Sequence, residues 1–277
     1  MITADVHIHT HYAHGKAGVL DMYRAARNKG LEIIGFSEHS PRPLGFDYPD
    51  DYREHLSAGH ETYIAEVRAL QAAENDSAPP FVLLGLEMDW LEGEDAFVAR
   101  TLTEHAYDYV IGGLHFLDTW GFDSSADDWK HLSAEACYAH FAAYYKDMAK
   151  LAASGLFQMV SHPDLIKLFQ VDSFHAWIER AEARELVRET LAALKKHGLA
   201  LEISSAGLRK GLGEPYPGPV IMEIASELEL PIFFGSDSHA ADQVGYAFDQ
   251  LEAYARQFGY TSSVYHVRGM RRIVPFA

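Results

Sequence analysis

The sequence predicts an α/β protein built as a single-domain (β/α)7 barrel, with a metal site at the carboxyl ends of its strands. Three observations lead there. Short apolar or β-branched runs alternate seven times with longer segments of helical periodicity, the pattern of a parallel sheet with helices outside. The chain has 277 residues, the size of one barrel although one repeat short of the commonest form. Six of the seven runs end in histidine or carboxylate, and in a barrel all these ends point to one rim.

Taken in order, the first strand is Ile2–His9 and its helix Leu20–Lys29, closed by Arg27-Asn28-Lys29-Gly30. Strand Glu32–Ser37 precedes helix Asp50–Glu74, and strand Phe81–Glu87 precedes helix Glu94–His105. Then come Tyr109–Gly113 with Ala134–Ala153, and Phe157–Ser161 with Ala183–His197. The latter helix carries Leu186, Val187, Thr190, Leu191 and Leu194 as one apolar stripe. It ends in Lys195-Lys196-His197-Gly198, cations and a glycine suited to the carbonyl end of the helix dipole. Strand Ala200–Ile203 with helix Gly218–Leu228, and strand Pro231–Ser236 with helix Asp242–Phe258, complete the set. The polar loops Pro41–Pro49 and Leu117–Leu132 follow strands, on the face where such barrels carry their sites. No linker, low-complexity tract or repeat divides residues 1–277, so one domain is expected.

Composition narrows the function. Hydrophobic residues make up 48% and charged residues 23%, enough for a large core and unlike collagen-like, disordered or disulfide-stapled chains. A net charge of −17 repels a phosphate backbone, so long nucleic acids are not expected partners. The one cysteine, Cys137, cannot pair within the chain, which suits a reducing compartment. Met1–His7 has no basic segment leading into an apolar one, and the apolar run Phe81–Leu86 is far too short to span a bilayer. A soluble cytoplasmic protein without a membrane partner is the expectation; oligomeric state is left open.

Histidine is unusually frequent, at sixteen residues. The first strand ends Asp5-Val6-His7-Ile8-His9, and side chains at i and i+2 of a strand share a face, close enough for two imidazoles to reach one ion. Such a pair alone would equally suit a polar strand end. The pattern recurs, however, in Ser37-Glu38-His39, Gly85-Leu86-Glu87, Gly113-Leu114-His115, Ser161-His162-Pro163 and Gly235-Ser236-Asp237-Ser238-His239. With His14 in the loop after the first strand, nine potential ligands converge, more than one zinc site uses, so two or three ions are expected.

The ordered strings DVHIHT, HG at His14-Gly15, SEHS, GLEMDW, GGLHF, SHPDL and GSDSH resemble the polymerase-and-histidinol-phosphatase (PHP) family, and within it the bacterial histidinol-phosphate phosphatases. The resemblance implies a distorted (β/α)7 barrel with three divalent ions of zinc, manganese or iron. It implies one ion on His7, His9, Glu87 and Asp237, a second on Glu87, His115 and His162, and a third on His14, His39 and His239. Glu202-Ile203-Ser204-Ser205-Ala206-Gly207-Leu208-Arg209-Lys210 resembles the segment in which an arginine of these phosphatases clamps the substrate phosphate, here Arg209. Arg42, in the loop after His39, is a looser candidate for a second phosphate contact, an exposed arginine without a role being the alternative.

The implied reaction is metal-assisted hydrolysis of a phosphomonoester, L-histidinol phosphate giving L-histidinol and phosphate in histidine biosynthesis. Glu87 and Asp237 are the candidate catalytic carboxylates, and no phosphoenzyme is needed, since a DxDx-type motif is absent. The alternatives are a PHP-type phosphoesterase acting on nucleotides or nucleic-acid ends, and a non-catalytic metal-binding module. Asp89 and Asp164 are candidates for orienting ligand histidines, a solvated carboxylate being the alternative for each. Cys137, His55, His60, His105, His131, His140, His175, His197 and His266 are read as surface or packing residues, and His11, near the rim but out of phase with His7 and His9, is left out of the ligand set.

Overall fold

Seven parallel strands occur in the sheet in the same order as in the chain. They are β1 (Ala4–Asp5), β2 (Ile33–Phe36), β3 (Phe81–Asp89), β4 (Tyr109–Gly113), β5 (Met159–Val160), β6 (Ala200–Ser204) and β7 (Ile232–Gly235). Each is followed by helix: α1 (Val19–Asn28), α2 (Tyr52–Glu74), α3 (Asp95–Glu104), α4 (Ala134–Ser154), α5 (Val171–Ile178) with α6 (Ala181–His197), the short α7 (Ala206–Arg209) with α8 (Pro219–Glu227), and α9 (Phe248–Gln257). The computed structural model describes residues 1–48 and 51–276. Pro49 and Asp50, at the end of one expected loop and the start of one expected helix, lie outside the described residues. Among the described residues no helix is long and apolar enough to cross a membrane.

The sheet curls until its first and last strands meet. Ile8 bridges Ser238 in parallel, and the His9 amide donates to the Ser238 carbonyl at 2.9 Å. The result is a nearly closed, distorted (β/α)7 barrel.

Period-two alternation sorts the side chains. On β3, Leu83 joins Ala4, Ile33, Tyr109, Ile111, Met159, Ala200 and Phe233 in a core inside the barrel. Val82, Leu84 and Leu86 pack outward under the helices. Tyr109 lies across the interior, its hydroxyl donating to the Val6 carbonyl at 2.8 Å. A Cβ at Gly35 would meet the Tyr109 hydroxyl, and one at Gly85 its ring, at 2.3 Å, so both inward positions must stay bare. The next inward position after Leu83 and Gly85 is Glu87, which alternation thus delivers to the barrel mouth.

Several elements differ from expectation. Only Ala4 and Asp5 of the expected first strand join the ladder, and the buried Asp5 carboxylate accepts from the Ser236 and Gly245 amides at 3.0 and 2.9 Å. The expected helix Asp242–Phe258 is broken because Gly245 and Ala247 adopt left-handed φ of 60° and 52°, leaving a 3-10 turn at Ala241–Gln243 and then α9. Helix α5 was not expected; it buries Phe174, Trp177 and Ile178 against Phe141 and Tyr145 of α4. Nor was the antiparallel hairpin β8 (Ser262–Val267) with β9 (Met270–Pro275), turned by Arg268 and Gly269, both at positive φ. Val264 from this hairpin closes the amino end of the barrel, so the mouth at the opposite end stays open for chemistry.

Candidate metal centre

At that mouth the Nε2 atoms of His7 and His9 lie 3.1 Å apart, both rings fully buried. Glu87 Oε2 is 3.3 Å from each, and Asp237 Oδ1 is 3.4 Å from His9 Nε2. The other oxygen, Oε1, is 2.9 Å from His162 Nε2 and 3.8 Å from His115 Nε2. Glu87 therefore stands between two sets of imidazoles, one oxygen toward each. His39 approaches Glu87 Oε2 at 3.1 Å and stacks on His9 with centroids 4.2 Å apart, and His239 also lies against the His9 ring at 4.4 Å.

Four overlapping triads have ligand atoms close enough to share an ion: His7-His9-Asp237, His7-Glu87-His162, His39-Glu87-His115 and His9-His39-His239. Eight of the nine expected ligands are in these triads. The ninth, His14, sits at the outer edge, stacked on His239 at 4.0 Å with its Nδ1 2.7 Å from the Tyr52 hydroxyl.

Three carboxylates, on β6 and beyond the end of β2 and at the end of β3, aim the rings. Glu202 Oε1 is 2.7 Å from His7 Nδ1 while its Oε2 accepts from the His162 backbone amide at 2.6 Å. Glu38 Oε1 is 3.2 Å from His9 Nδ1, and its Oε2 accepts from the Thr10 amide and hydroxyl at 2.8 and 2.5 Å. Asp89 Oδ1 is 2.5 Å from His115 Nδ1. A carboxylate that takes the Nδ1 proton leaves the Nε2 lone pair free for an ion and fixes the ring's direction. His162 and Asp237 are held at φ of 22° and 47°, strained backbone for residues other than glycine, at two ligand positions.

The donors fit divalent ions. Among the described residues, buried His39 Nδ1, Glu87 Oε2 and His239 Nε2 make no hydrogen bond of good geometry. Burial opposes charge on Glu87, yet His7, His115 and His39 hold it well below the usual carboxylate range; Asp237 is likewise held low, against burial, by His9, Lys210 and His239. Burial, helped by the charge of His9, pushes His39 and His239 well down and His14 to about 4, so these rings are neutral donors at neutral pH. His7 and His9 shift upward despite burial. Glu202 and Glu87 raise the first, and close approach of Asp237, Glu38 and Glu87 raises the second to about 10. That field favours positive charge between the two rings, and a divalent cation satisfies it as a proton does.

The sequence matches the PHP domain family over residues 5–206 and the PHP-associated family over residues 220–257. The chain belongs to the PHP domain family. A relative from Deinococcus radiodurans, named a probable histidinol-phosphatase, is 33% identical over 96% of this chain and 98% of its own. The histidinol-phosphatase of Bacillus subtilis is 31% identical over 88% of this chain and 96% of its own. The crystal structure of histidinol phosphate phosphatase from Lactococcus lactis, complexed with zinc, L-histidinol and phosphate, superposes with a TM-score of 0.74 at 19% identity, covering 98% of both chains. At that identity it speaks to the fold.

Neither of the two arginines expected at the PHP site is among the described residues that line the cavity. Arg209, on α7, donates from Nη2 to the Asp237 carbonyl at 2.5 Å and the Ser236 carbonyl at 3.3 Å, gripping the loop that carries Asp237 and His239. Its neighbour Lys210, unassigned from sequence, reaches the cavity wall with Nζ 3.8 Å from Asp237 Oδ2. Arg42 is not an exposed loop arginine. Its buried guanidinium donates from Nε to Asp89 Oδ2 at 2.6 Å and stacks against Tyr48, Phe116 and Tyr52. The exposed-loop alternative is thereby corrected: charge and aromatic partners draw Arg42 into the wall, where it supports the carboxylate that aims His115.

Of the two expected orienting acids, Asp89 does so. Asp164 instead binds Lys167 Nζ at 2.6 Å and the Gly218 amide at 2.8 Å. Glu38 and Glu202 were missed as orienting groups. Their signal was a charged residue inside or at the end of an apolar strand, as in Ala200-Leu201-Glu202-Ile203. His55, read as surface or packing, lines the cavity, whereas His60 bonds the Tyr107 hydroxyl and His175 bonds Glu214, away from it. Cys137 is buried and free in the α4 core, as expected.

Proposed function

We propose that this PHP chain hydrolyses L-histidinol phosphate to L-histidinol and phosphate, in the cytoplasm, and that residues 1–277 act as one catalytic unit. The observation that carries the chemistry is the Glu87 carboxylate, divided between two sets of imidazoles at the barrel mouth. The substrate reading is supported by the relatives from D. radiodurans and B. subtilis, aligned over nearly their whole lengths. Unity of the chain is supported by β7, which lies within the PHP-associated match and extends the sheet begun within the PHP match.

His7, His9, Glu87 and Asp237 would hold one ion, Glu87, His115 and His162 a second, and His14, His39 and His239 a third, of zinc, manganese or iron. Divalent ions there supply a Lewis acid for phosphoryl oxygens and lower the pKa of an attacking water toward neutrality. The chain's own residues do the rest. Lys210 and Arg209 bring positive charge to the side of the mouth where Asp237 lies and offset the charge developing on phosphate. Asp237 turns Oδ1 toward His9 and Oδ2 toward Lys210, so Oδ2 is the oxygen available to take a proton from the attacking water. Glu202, Glu38 and Asp89 keep the rings directed as the charge moves.

Phosphate release by the metal-loaded protein, screened over histidinol phosphate, nucleotides and sugar phosphates, tests the reading. Histidinol phosphate is expected to have the highest kcat/KM; a nucleotide ahead of it overturns the substrate assignment. Elemental analysis of protein purified without chelator should find more than one equivalent of divalent metal per chain, approaching three. Because His7 and His9 favour a proton when no ion is bound, metal must displace it, so retention should fall as the pH is lowered from about 8 to about 6. A metal content near zero after reconstitution removes the centre, and a content rising with acid removes the competition.

A further inference from the structure

The cavity outside the metal-type residues has a volume of about 700 Å3 and a two-sided chemistry. Lys210 lies on its wall beside Asp237, and Leu165 and Leu168 give an apolar patch. Tyr48, Tyr52, Asp123 and Ser124 line it as well. The acids in and around the mouth are matched, Asp237 by Lys210 and Arg209, and Asp89 by Arg42. Asp123 is the exception: it lines the cavity, is partly exposed to it, and is in no ion pair with any described residue. One oxygen, Oδ1, accepts from the Tyr48 hydroxyl at 2.5 Å, which fixes the carboxylate and leaves Oδ2 free. Tyr48 stacks on Tyr52 at 5.6 Å, and the Tyr52 hydroxyl meets His14 at 2.7 Å, so a continuous polar wall links Asp123 to the edge of the histidine cluster.

We propose that Asp123 is the subsite for a substrate ammonium group, carried on the alcohol half of the phosphomonoester. The inference rests on the histidinol-phosphate reading and adds what selects that substrate. A phosphate ester bound through its anionic end carries its leaving group into the cavity, and an amino alcohol presents a cation there. A fixed carboxylate without a protein cation is the complementary group, and it repels the anionic groups of nucleotides and sugar bisphosphates. The apolar Leu165–Leu168 patch suits the face of a flat ring on the same leaving group.

The test compares L-histidinol phosphate with its deamino analogue, 3-(imidazol-4-yl)propyl phosphate, at equal metal loading. Wild type should prefer the amine by about 10- to 100-fold in kcat/KM, and Asp123→Ala should bring that ratio near one. Asp123→Asn keeps the side-chain volume and an acceptor for Tyr48, and should also collapse the ratio if charge is what counts; it guards against misfolding of the alanine variant. A wild-type ratio near one, or a ratio unchanged in Asp123→Asn, overturns the subsite while leaving the phosphatase reading intact. Wild type that cleaves 4-nitrophenyl phosphate but neither imidazolyl substrate overturns the histidinol-phosphate reading and the subsite with it.

Discussion

Glu87→Gln should purify with at least one fewer equivalent of metal and lose activity on the order of 1,000-fold or more. The amide is nearly isosteric, so the loss follows from charge and not from packing. Ser161 donates to Glu87 Oε1 at 2.8 Å, which will keep the glutamine oxygen on the His115–His162 side. The amide nitrogen then takes the Oε2 position, 3.3 Å from both His7 and His9, and points two N–H groups where a cation should lie. Metal shared with His7 and His9 is expected to go first. Elemental analysis and kcat/KM on the same preparation check this; a variant that kept both metal and rate would remove Glu87 from the bridging role.

Arg209→Ala should retain most of its metal and lose about 30- to 1,000-fold in kcat/KM, the value of a charge-assisted contact of roughly 2–4 kcal/mol. The expected retention rests on Asp237, whose side chain is still engaged by His9 and Lys210 when the arginine is gone. Lysine should rescue only in part, because a point charge cannot both grip the Asp237 carbonyl and face phosphate as a planar fork can. Near wild-type kcat/KM at full metal content would leave Arg209 as a support for the 236–239 loop alone. Loss of metal in step with rate would mean that gripping that loop is its whole function.

Local rules made much of the molecule readable. Strand alternation brings Leu83, Gly85 and Glu87 to the barrel interior in succession, and it follows from peptide geometry without tertiary information. A glycine after Lys195-Lys196-His197 closes α6 at φ 79°, again a local requirement. The misses have an equally physical origin. The hairpin β8–β9 carried a readable two-residue turn at Arg268-Gly269, but its purpose, capping the amino end of the barrel through Val264, depends on strands far away in sequence. The broken helix before α9 turns on Gly245, whose amide serves Asp5 from the other end of the chain.

The sequence by itself determined the repeating strand-helix order and the residue types set at the strand ends, because both depend on contacts spanning a few residues. Only the tertiary structure decided the pairing across strands. Glu202 serves His7 and His162, Glu38 serves His9, and Arg42 supports Asp89 and through it His115. These partners are chosen by the curvature that brings β1 against β7 and by the cost of leaving a buried charge unmatched. Neither is encoded at any one position.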